Sequence, residues 1–369
     1  MAARAALLAW ALPGVATRTV ALDHDQAACL QTWVGDRRLS GLLWAAVDGG
    51  ALTLPEADIE RARDLHLGEL RTTLRIEATA AQVVEALAAA GIGSRLLKGL
   101  AAAHLDYPDP AWRNSADTDV LISRNDLPCA LEVLAGIGVT RSRAGLAPWW
   151  ERRFARTVEL CSPVGVEDDL HQALAVSWFG VTLDHAGLLA LPADAIDLGG
   201  VPAAALPGPA RVLSTCYSIV LSRGHHDRLL RDLAQQLLVS ECNWNAALAL
   251  ARAGDGEAVL HAAIRLASDA IPALAAHPAA TGRVPAPSSR AAAALQLAQY
   301  AEHEGWAADA RSTLRALSWP NRGRFLAGLA FPPRANRGAR GRTLASHLRR
   351  GARIIRRGRG GAPGEGAAD

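Results

Sequence analysis

Hydrophobic and polar residues follow two different periods along this chain. Before about residue 76 and after about residue 205, apolar residues recur every three or four positions, the spacing of helices that bury one face. Between these regions, short apolar runs alternate with helical segments, as in sheets whose strands are joined by helices. The pattern predicts an α+β fold with a small mixed-sheet core between N- and C-terminal helical regions.

The predicted elements divide the chain into four parts. Strands are predicted over 92–97, 117–122, 156–161 and 166–171. Helices are predicted over 25–34, 40–47, 55–75, 79–90, 100–105, 123–135, 210–221, 229–253, 257–267, 289–301 and 307–316. Gly91 suits the left-handed residue that often follows a helix. We divide the chain into an N-terminal helical region (1–75), a core (76–205), a C-terminal helical region (206–330) and a tail (331–369).

The formal charge is unevenly distributed. The whole chain carries +3, but residues 331–369 hold ten arginines against two acids, so the remainder is mildly acidic. We predict a disordered basic tail; contact with nucleic acid or an anionic membrane stays open as the alternative. A helix over 343–357 would be basic and amphipathic.

Cysteine usage and hydropathy indicate a cytoplasmic protein. The five cysteines are scattered, odd in number and form no C-x-x-C pair, which suits a reducing compartment. No apolar run reaches the length of a membrane span. The first twelve residues combine an arginine with a short apolar stretch, and we interpret them as a buried amphipathic helix rather than an export signal.

Candidate chemistry begins with an acidic pair and a lysine. Asp117 and Asp119 open an apolar run, and residues two apart in a strand project from the same face. Two carboxylates so close repel each other unless a cation lies between them. Lys98 is the only lysine of the chain and precedes Gly99 at a predicted strand end. Its retention there suggests a need for a compact ammonium, which arginine would not replace.

A third acidic group lies in the strand over 166–171. Strand alternation places Val166, Asp168 and Leu170 on one face and Glu167, Asp169 and His171 on the other. Hard carboxylate oxygens favour Mg²⁺ or Mn²⁺ over zinc, and such ions can hold a triphosphate for in-line displacement. Asp169 is the preferred third carboxylate because it lies opposite the apolar face, and Glu167 is the reserve candidate.

These motifs, taken in order, resemble a known family. The ordered set is Leu96-Leu97-Lys98-Gly99, Tyr107-Pro108-Asp109, Arg113, the run from Asp117 to Ile122, the helix with Leu131 and Leu134, Gly136 to Gly138, and Asp169-Leu170-His171. It is similar to the bacterial uncharacterised nucleotidyltransferase family, within the DNA polymerase β-like nucleotidyltransferase superfamily. The resemblance covers residues 80–240 and implies a nucleotidyltransferase core.

The resemblance implies roles for individual residues. Asp117 and Asp119 would be metal ligands, and Asp169 the third catalytic and metal-binding carboxylate. Lys98 and Gly99 would contact the nucleotide in place of the superfamily's Gly-Ser turn, with Arg113 as the arginine before the acidic pair. The family's histidine-bearing helix matches three further residues, for which capping and solvation stay open as the alternative: His225, His226 and Asp232.

The predicted reaction is Mg²⁺- or Mn²⁺-dependent transfer of a nucleoside monophosphate from an NTP to an acceptor. The acceptor could be a small molecule, a sugar, a peptide or a protein, and the resemblance favours natural-product or polysaccharide biosynthesis. One alternative is a non-catalytic nucleotide-binding or scaffold protein with the same fold. Another is a nucleic-acid-modifying transferase that docks through its arginine-rich tail.

Overall fold

A computed structural model describes residues 2–15, 19–143, 147–282, 286–300 and 305–330. The predicted tail and its amphipathic helix lie outside these residues. The N-terminal elements are α1 (Ala2–Ala9), β1 (Val20–Ala21), α2 (His24–Arg37), α3 (Ser40–Asp48), β2 (Leu52–Thr53) and α4 (Glu56–Ala89). Helix α1 buries Leu7 and Leu8.

The central elements form the sheet and its connections. They are β3 (Ser94–Leu96), α5 (Lys98–Asp106), β4 (Thr118–Ile122), α6 (Leu127–Gly136), β5 (Thr140–Arg141), α7 (Pro148–Phe154), β6 (Thr157–Cys161), β7 (Glu167–His171), α8 (Ser177–Thr182), α9 (His185–Ala190), β8 (Asp194–Leu198) and β9 (Val201–Ala205). Short 3₁₀ turns lie at Pro110–Trp112 and Pro272–Ala276.

The C-terminal elements are helical. They are α10 (Gly208–Leu221), α11 (Asp227–Leu238), α12 (Trp244–Arg252), α13 (Glu257–Ala270), α14 (Pro278–Thr281), α15 (Ser289–Tyr300), α16 (Gly305–Ala316) and α17 (Trp319–Ala330). None of the helices in the described ranges is long and apolar enough to cross a membrane.

The main sheet is mixed, as the pattern predicts. Its strand order is β5-β6-β7-β4-β3-β9-β8. The pairs β4–β7 and β3–β9 are parallel, and the other pairs are antiparallel. All five residues of β4 are buried because the strand is central and covered on both faces.

Two hydrophobic cores cover the two faces of the sheet. Val120 and Leu170 pack in one core with residues of α4 such as Val84 and Leu87. Leu121 faces the opposite way and packs in the second core, which includes Leu230 and much of the helical regions. The face of β4 that carries the odd-numbered residues therefore lies beneath the C-terminal helices.

Several predicted boundaries are wrong. The helices expected over 55–75 and 79–90 are one continuous helix, α4, so the proposed division at residue 75 falls inside it. Gly91 does follow this helix with a φ of 71°, as predicted. The helix expected over 229–253 is two helices, α11 and α12, and Lys98 begins α5 instead of closing the strand. The sequence prediction missed α7, α8, α9, α17 and the hairpin β8–β9.

Candidate active site

The parallel pairing of β4 with β7 brings two of the predicted carboxylates together. In this register Asp119 lies directly opposite Asp169, and Thr118 lies opposite Asp168. Because side chains alternate along each strand, Asp119 and Asp169 share one face of the sheet. Asp117 lies just before β4 and, like Asp119, lines a cavity between the sheet and the C-terminal helices. The structure thus brings the three predicted carboxylates to one place.

Lys98 reaches this group from the start of α5, just after the neighbouring strand β3. The Leu97 amide donates to the Asp119 carbonyl (2.9 Å), which holds the start of α5 beside β4. The Lys98 ammonium lies 3.0 Å from Asp119 Oδ1. Lys98 adopts a φ of 37°, a left-handed conformation that is uncommon for residues with a side chain. Such strain is often found at functional sites, where the surrounding structure maintains it.

The N-terminus of α5 is close to the acidic group and carries no side-chain cap. Leu97 occupies the N-cap position and makes no capping hydrogen bond through its side chain. Gly99 packs against Ser115, since a Cβ at Gly99 would lie 3.0 Å from the Ser115 hydroxyl oxygen. The unpaired amides of a helix N-terminus favour anions such as phosphate. The predicted nucleotide contact of Lys98 and Gly99 stays a prediction.

His171 belongs to the site, although the predicted ligand set omitted it. It is fully buried at the end of β7, and its Nε2 is hydrogen-bonded to Asp119 Oδ1 and lies 3.9 Å from Asp169 Oδ2. Asp119, Asp169 and His171 can each offer one ligand atom, and these atoms lie within 4.8 Å of one another. The signal was present in the strand alternation, which places His171 on the face of Asp169.

The carboxylates of the site have strongly displaced pKa values. Burial acts to raise the pKa of Asp119, but Lys98 and His171 outweigh it and hold this pKa well below its usual range. Burial, followed by repulsion from Asp119 and Asp117, raises the pKa of Asp169 to about 6. Burial also lowers the pKa of His171 to about 4, so its imidazole is neutral near pH 7. Asp119 is thus ionised, and Asp169 lies in a field that favours an added cation.

Asp168 points away from this site. Its side chain is buried on the opposite face of β7, and neither carboxylate oxygen has a hydrogen-bond partner among the described residues. Burial raises its pKa to about 6, and the neighbouring Thr118 hydroxyl offsets part of that shift. The sequence prediction of Asp169 over Asp168 therefore agrees with the strand register.

We expect Asp168→Asn to stabilise the protein at alkaline pH. The pKa of Asp168 in the folded state, about 6, lies above the usual aspartate value of 3.8, so ionised Asp168 costs stability above pH 6. That cost disappears as the pH falls from 6 towards 4, because Asp168 becomes protonated in the folded state, which binds this proton more tightly than the unfolded state does. The gain over wild type should grow by about 2–3 kcal/mol between pH 4 and pH 8. Urea unfolding at both pH values in EDTA measures this; a constant difference would contradict it.

Arg113 is hydrogen-bonded to a residue of α11 rather than free in the cavity. It is buried, and its Nε and Nη2 donate to the two carboxylate oxygens of Asp232, both at 2.8 Å. The Tyr107 hydroxyl donates to the same carboxylate (2.9 Å). Asp232, from the predicted histidine-bearing helix, therefore orients Arg113 at the cavity wall. The predicted nucleotide contact of Arg113 stays a prediction.

A cavity of about 340 Å³ lies between the sheet and helices α10 and α11. Asp117 and Asp119 form its acidic wall, and Arg156 and Arg228 add positive charge beside Lys98. The Arg228 Nη1 atom is buried without a hydrogen-bond partner among the described residues. The sequence prediction missed both arginines. Arg228 lies one helical turn before Asp232, a spacing that places both on the same face of α11.

The two predicted histidines have different positions. His226 contributes to the wall of this cavity. His225 is exposed, and its carbonyl oxygen accepts a hydrogen bond from Arg37. Only His226 is therefore placed to meet a ligand of the cavity.

Comparison with known proteins agrees with this geometry. Residues 23–272 match the model of the family described as uncharacterised nucleotidyltransferase. The chain belongs to this family. The match includes every residue of the cavity and of the Asp119–Asp169–His171 group.

Other comparisons are more distant. A search of the curated proteins finds no match. Among solved structures, the chain is similar to an antigenic nucleotidyltransferase-like protein from Paracoccidioides brasiliensis, at 14% identity and a TM-score of 0.35. That likeness covers 57% of this chain and 94% of the other.

The residues of this nucleotidyltransferase-family chain fit a divalent metal. Carboxylate oxygens are the ligands that Mg²⁺ and Mn²⁺ prefer, and an imidazole nitrogen is also a good ligand for the transition metals. The pKa values of Asp117 and Asp169 are raised by burial and by repulsion from neighbouring carboxylates. An added cation would reduce that repulsion. Asp117 is outside the three-residue group but lines the same cavity.

Proposed function

We propose that this protein transfers a nucleoside monophosphate from an NTP to an acceptor with the help of Mg²⁺ or Mn²⁺. The observation that carries the proposal is the register of β4 and β7, which sets Asp119 opposite Asp169, while Lys98 contacts Asp119 from the start of α5. A buried acidic group beside a compact cation suits a metal-bound triphosphate. Family membership supports the reaction class.

In this proposal Asp117, Asp119 and Asp169 hold the metal, and His171 orients Asp119 or completes the ligand set. The metal, when bound, would neutralise phosphate charge and increase the electrophilicity of the α-phosphorus. The hydrogen bond from His171 and the ion pair with Lys98 both keep Asp119 ionised, as its low pKa indicates. An ionised carboxylate is the form that binds a metal.

The triphosphate would be held by positive groups on two sides of the cavity. Lys98 and the N-terminus of α5, including the Gly99 amide, lie on the sheet side. Arg228 lies on the helix side, with its Nη1 atom lacking a partner. We propose that these groups bind the β- and γ-phosphates, because charge-assisted hydrogen bonds to phosphate are stronger than neutral ones.

Asp169 would assist the nucleophile. The acceptor hydroxyl oxygen attacks the α-phosphorus, the bond from that phosphorus to the bridging oxygen breaks, and pyrophosphate leaves with the electron pair. Asp169 takes the hydroxyl proton. Electrostatic stabilisation and positioning account for most of the catalysis in phosphoryl-type transfer.

The direct test uses NTPs labelled on the α-phosphate. Purified protein is incubated with each NTP, Mg²⁺ or Mn²⁺, and a cell extract as the pool of acceptors. We expect label in a product, and none with the Asp117→Ala/Asp119→Ala variant. Absence of both transfer and NTP binding in the wild type would reject the enzyme and leave the non-catalytic scaffold. Metal-dependent NTP binding without transfer would support a nucleotide-binding protein that does not catalyse the reaction.

We expect Lys98→Arg to reduce catalysis although the charge is retained. The Lys98 side chain is only 17% exposed and lies 3.0 Å from Asp119, so a planar guanidinium would displace its neighbours and bind the carboxylate in two places. The kcat/KM for the NTP should fall by about 10–100-fold, or about 1.4–2.7 kcal/mol. Steady-state kinetics measures it, with circular dichroism as the folding control. Wild-type kinetics would remove the argument for an ammonium here.

The cellular setting is also part of the proposal. We propose a cytoplasmic enzyme of natural-product or polysaccharide biosynthesis, in line with the cysteine usage and the family resemblance. The arginine-rich tail would make weak contact with nucleic acid or an anionic membrane. The division into 1–75, 76–205, 206–330 and 331–369 is kept as a proposal, with α4 shared by the first two parts.

A further inference from the structure

A second and larger cavity, of about 750 Å³, adjoins the candidate active site. Arg156 contributes to the walls of both cavities, so this residue lies at their junction. The backbone carbonyl of Arg156 accepts a hydrogen bond from the Gln172 backbone amide (2.7 Å), next to the end of β7. The larger cavity therefore begins near the end of β7, the strand that carries Asp169.

One wall of the larger cavity is aromatic. Trp150, Phe154 and Phe325 form a cluster with ring centroids 5.2–5.6 Å apart. The Trp150 indole donates to the Phe325 carbonyl (3.1 Å), which fixes the orientation of the ring. A volume of 750 Å³ lies within the range of small-molecule sites. This wall suits an apolar ring or chain.

The polar wall of the larger cavity carries excess positive charge. Three arginines and two aspartates line it: Arg124, Arg153, Arg156, Asp184 and Asp309. Within the described ranges, none of these guanidiniums forms an ion pair with a carboxylate. Arg124 donates to a backbone carbonyl (3.0 Å), and Arg153 donates to the neutral amide of Asn321 (2.8 Å and 3.1 Å). The wall can therefore accept an anionic group.

Gln172 adds a hydrogen-bond requirement. Its side chain is fully buried at this cavity, and Oε1 has no partner among the residues that the structure describes. A buried oxygen without a donor costs stability unless a ligand or water supplies one. A hydroxyl on a bound molecule would supply that donor close to Arg156 and the junction.

Resting on the proposed function, we infer that the larger cavity binds the acceptor. The acceptor is a small hydroxylated molecule with an apolar ring or chain and an acidic group, either carboxylate or phosphate. Its apolar part packs against the aromatic cluster, its acidic group pairs with the arginines, and its hydroxyl reaches the junction at Arg156. Residues 309–329 of α16 and α17 contribute to this cavity and lie outside the family match, whereas the nucleotide cavity lies within it.

The first test measures binding without catalysis. The probe is 8-anilino-1-naphthalenesulfonate, which combines an aromatic body with an anionic group and is detected by its fluorescence. Ala186 is exposed and lines the cavity from α9, so Ala186→Trp should fill it and weaken probe binding by about tenfold or more. Ala190→Trp, on the same helix but away from the cavity, should bind as wild type does.

A charge variant tests the anionic group separately. Arg153→Glu should weaken probe binding by about fivefold or more, since it reverses a charge in the cavity wall. Arg152→Glu makes the same change at the neighbouring exposed residue, which is not part of that wall, and should have little effect. Equal binding by all four variants and the wild type would overturn the assignment of this cavity as a ligand site.

The second test asks whether the ligand site is the acceptor site. Transfer from labelled ATP is measured with the small-molecule fraction of a cell extract, with and without the probe. We expect the probe and Ala186→Trp to abolish transfer while labelled ATP still binds. Transfer that persists with the probe bound, or label found only in protein or RNA, would overturn the acceptor assignment and leave the proposed function standing. No wild-type transfer from any fraction would instead reject the proposed function, and the acceptor assignment with it.

Discussion

Asp169→Asn should reduce nucleotidyl transfer by about 10³-fold or more, whereas Asp168→Asn should keep transfer within a few-fold of wild type. The two residues are adjacent in β7 and project from opposite faces, and only Asp169 lies opposite Asp119 in the parallel register. An amide in place of Asp169 can neither take the hydroxyl proton nor give the metal a charged ligand. The expected loss is about 4 kcal/mol or more of transition-state stabilisation.

The adjacent pair makes a matched control. Both substitutions replace a carboxyl group by an amide of the same shape, and both affect a side chain whose pKa is raised to about 6. Transfer from α-labelled ATP is measured with each variant, together with metal-dependent ATP binding and urea unfolding. Loss of transfer in Asp168→Asn with normal folding would show that the face assignment is wrong. Full activity in Asp169→Asn would remove its proposed role.

Asp232→Asn should destabilise the protein by about 3–5 kcal/mol, because it leaves the Arg113 guanidinium buried without a countercharge. Both groups are almost inaccessible to solvent, with side-chain exposures of 4% and 1%. The pair joins the loop before β4 to α11. Because α11 also carries Arg228 into the cavity, we expect ATP binding to weaken in the same variant.

A second ion pair on the same helix is the control. Asp227 lies 3.4 Å from Arg37, but both side chains are partly exposed. Asp227→Asn should therefore cost no more than about 1 kcal/mol. Urea unfolding measures both variants, and equal stabilities would show that the buried pair has no special role. A double variant with apolar residues at 113 and 232 should recover part of the loss.

Both predictions depend on how the helical regions close over the sheet. The odd-numbered residues of β4 face the C-terminal helices, so the acidic group is enclosed by elements far away in the sequence. Breaking the ion pair at Asp232 would affect the side of the cavity that we propose to bind phosphate, without changing a carboxylate that we propose to bind the metal. Loss of ATP binding with the carboxylates intact would separate these two parts of the site.

Local sequence patterns determined the central strands and the acidic chemistry. The strand bounds over 117–122, 156–161 and 166–171 agree with the structure within one residue at each end. Alternation alone placed Asp169 and His171 on one face, because side chains in a strand point to opposite sides in turn. The hairpin β8–β9 was missed, although Gly199-Gly200 is a common two-residue turn sequence and both glycines have positive φ in the structure.

Tertiary structure alone decided which distant residues meet. The sequence contains no local signal that β7 pairs with β4, or that Asp232 reaches Arg113 over 119 positions. Arg156 and Arg228 join the site because a strand end and a helix face happen to converge on it in the fold. The larger cavity is likewise lined by helices that are far apart in the sequence. Periodicity reports which face of an element is buried, but it does not report what covers that face.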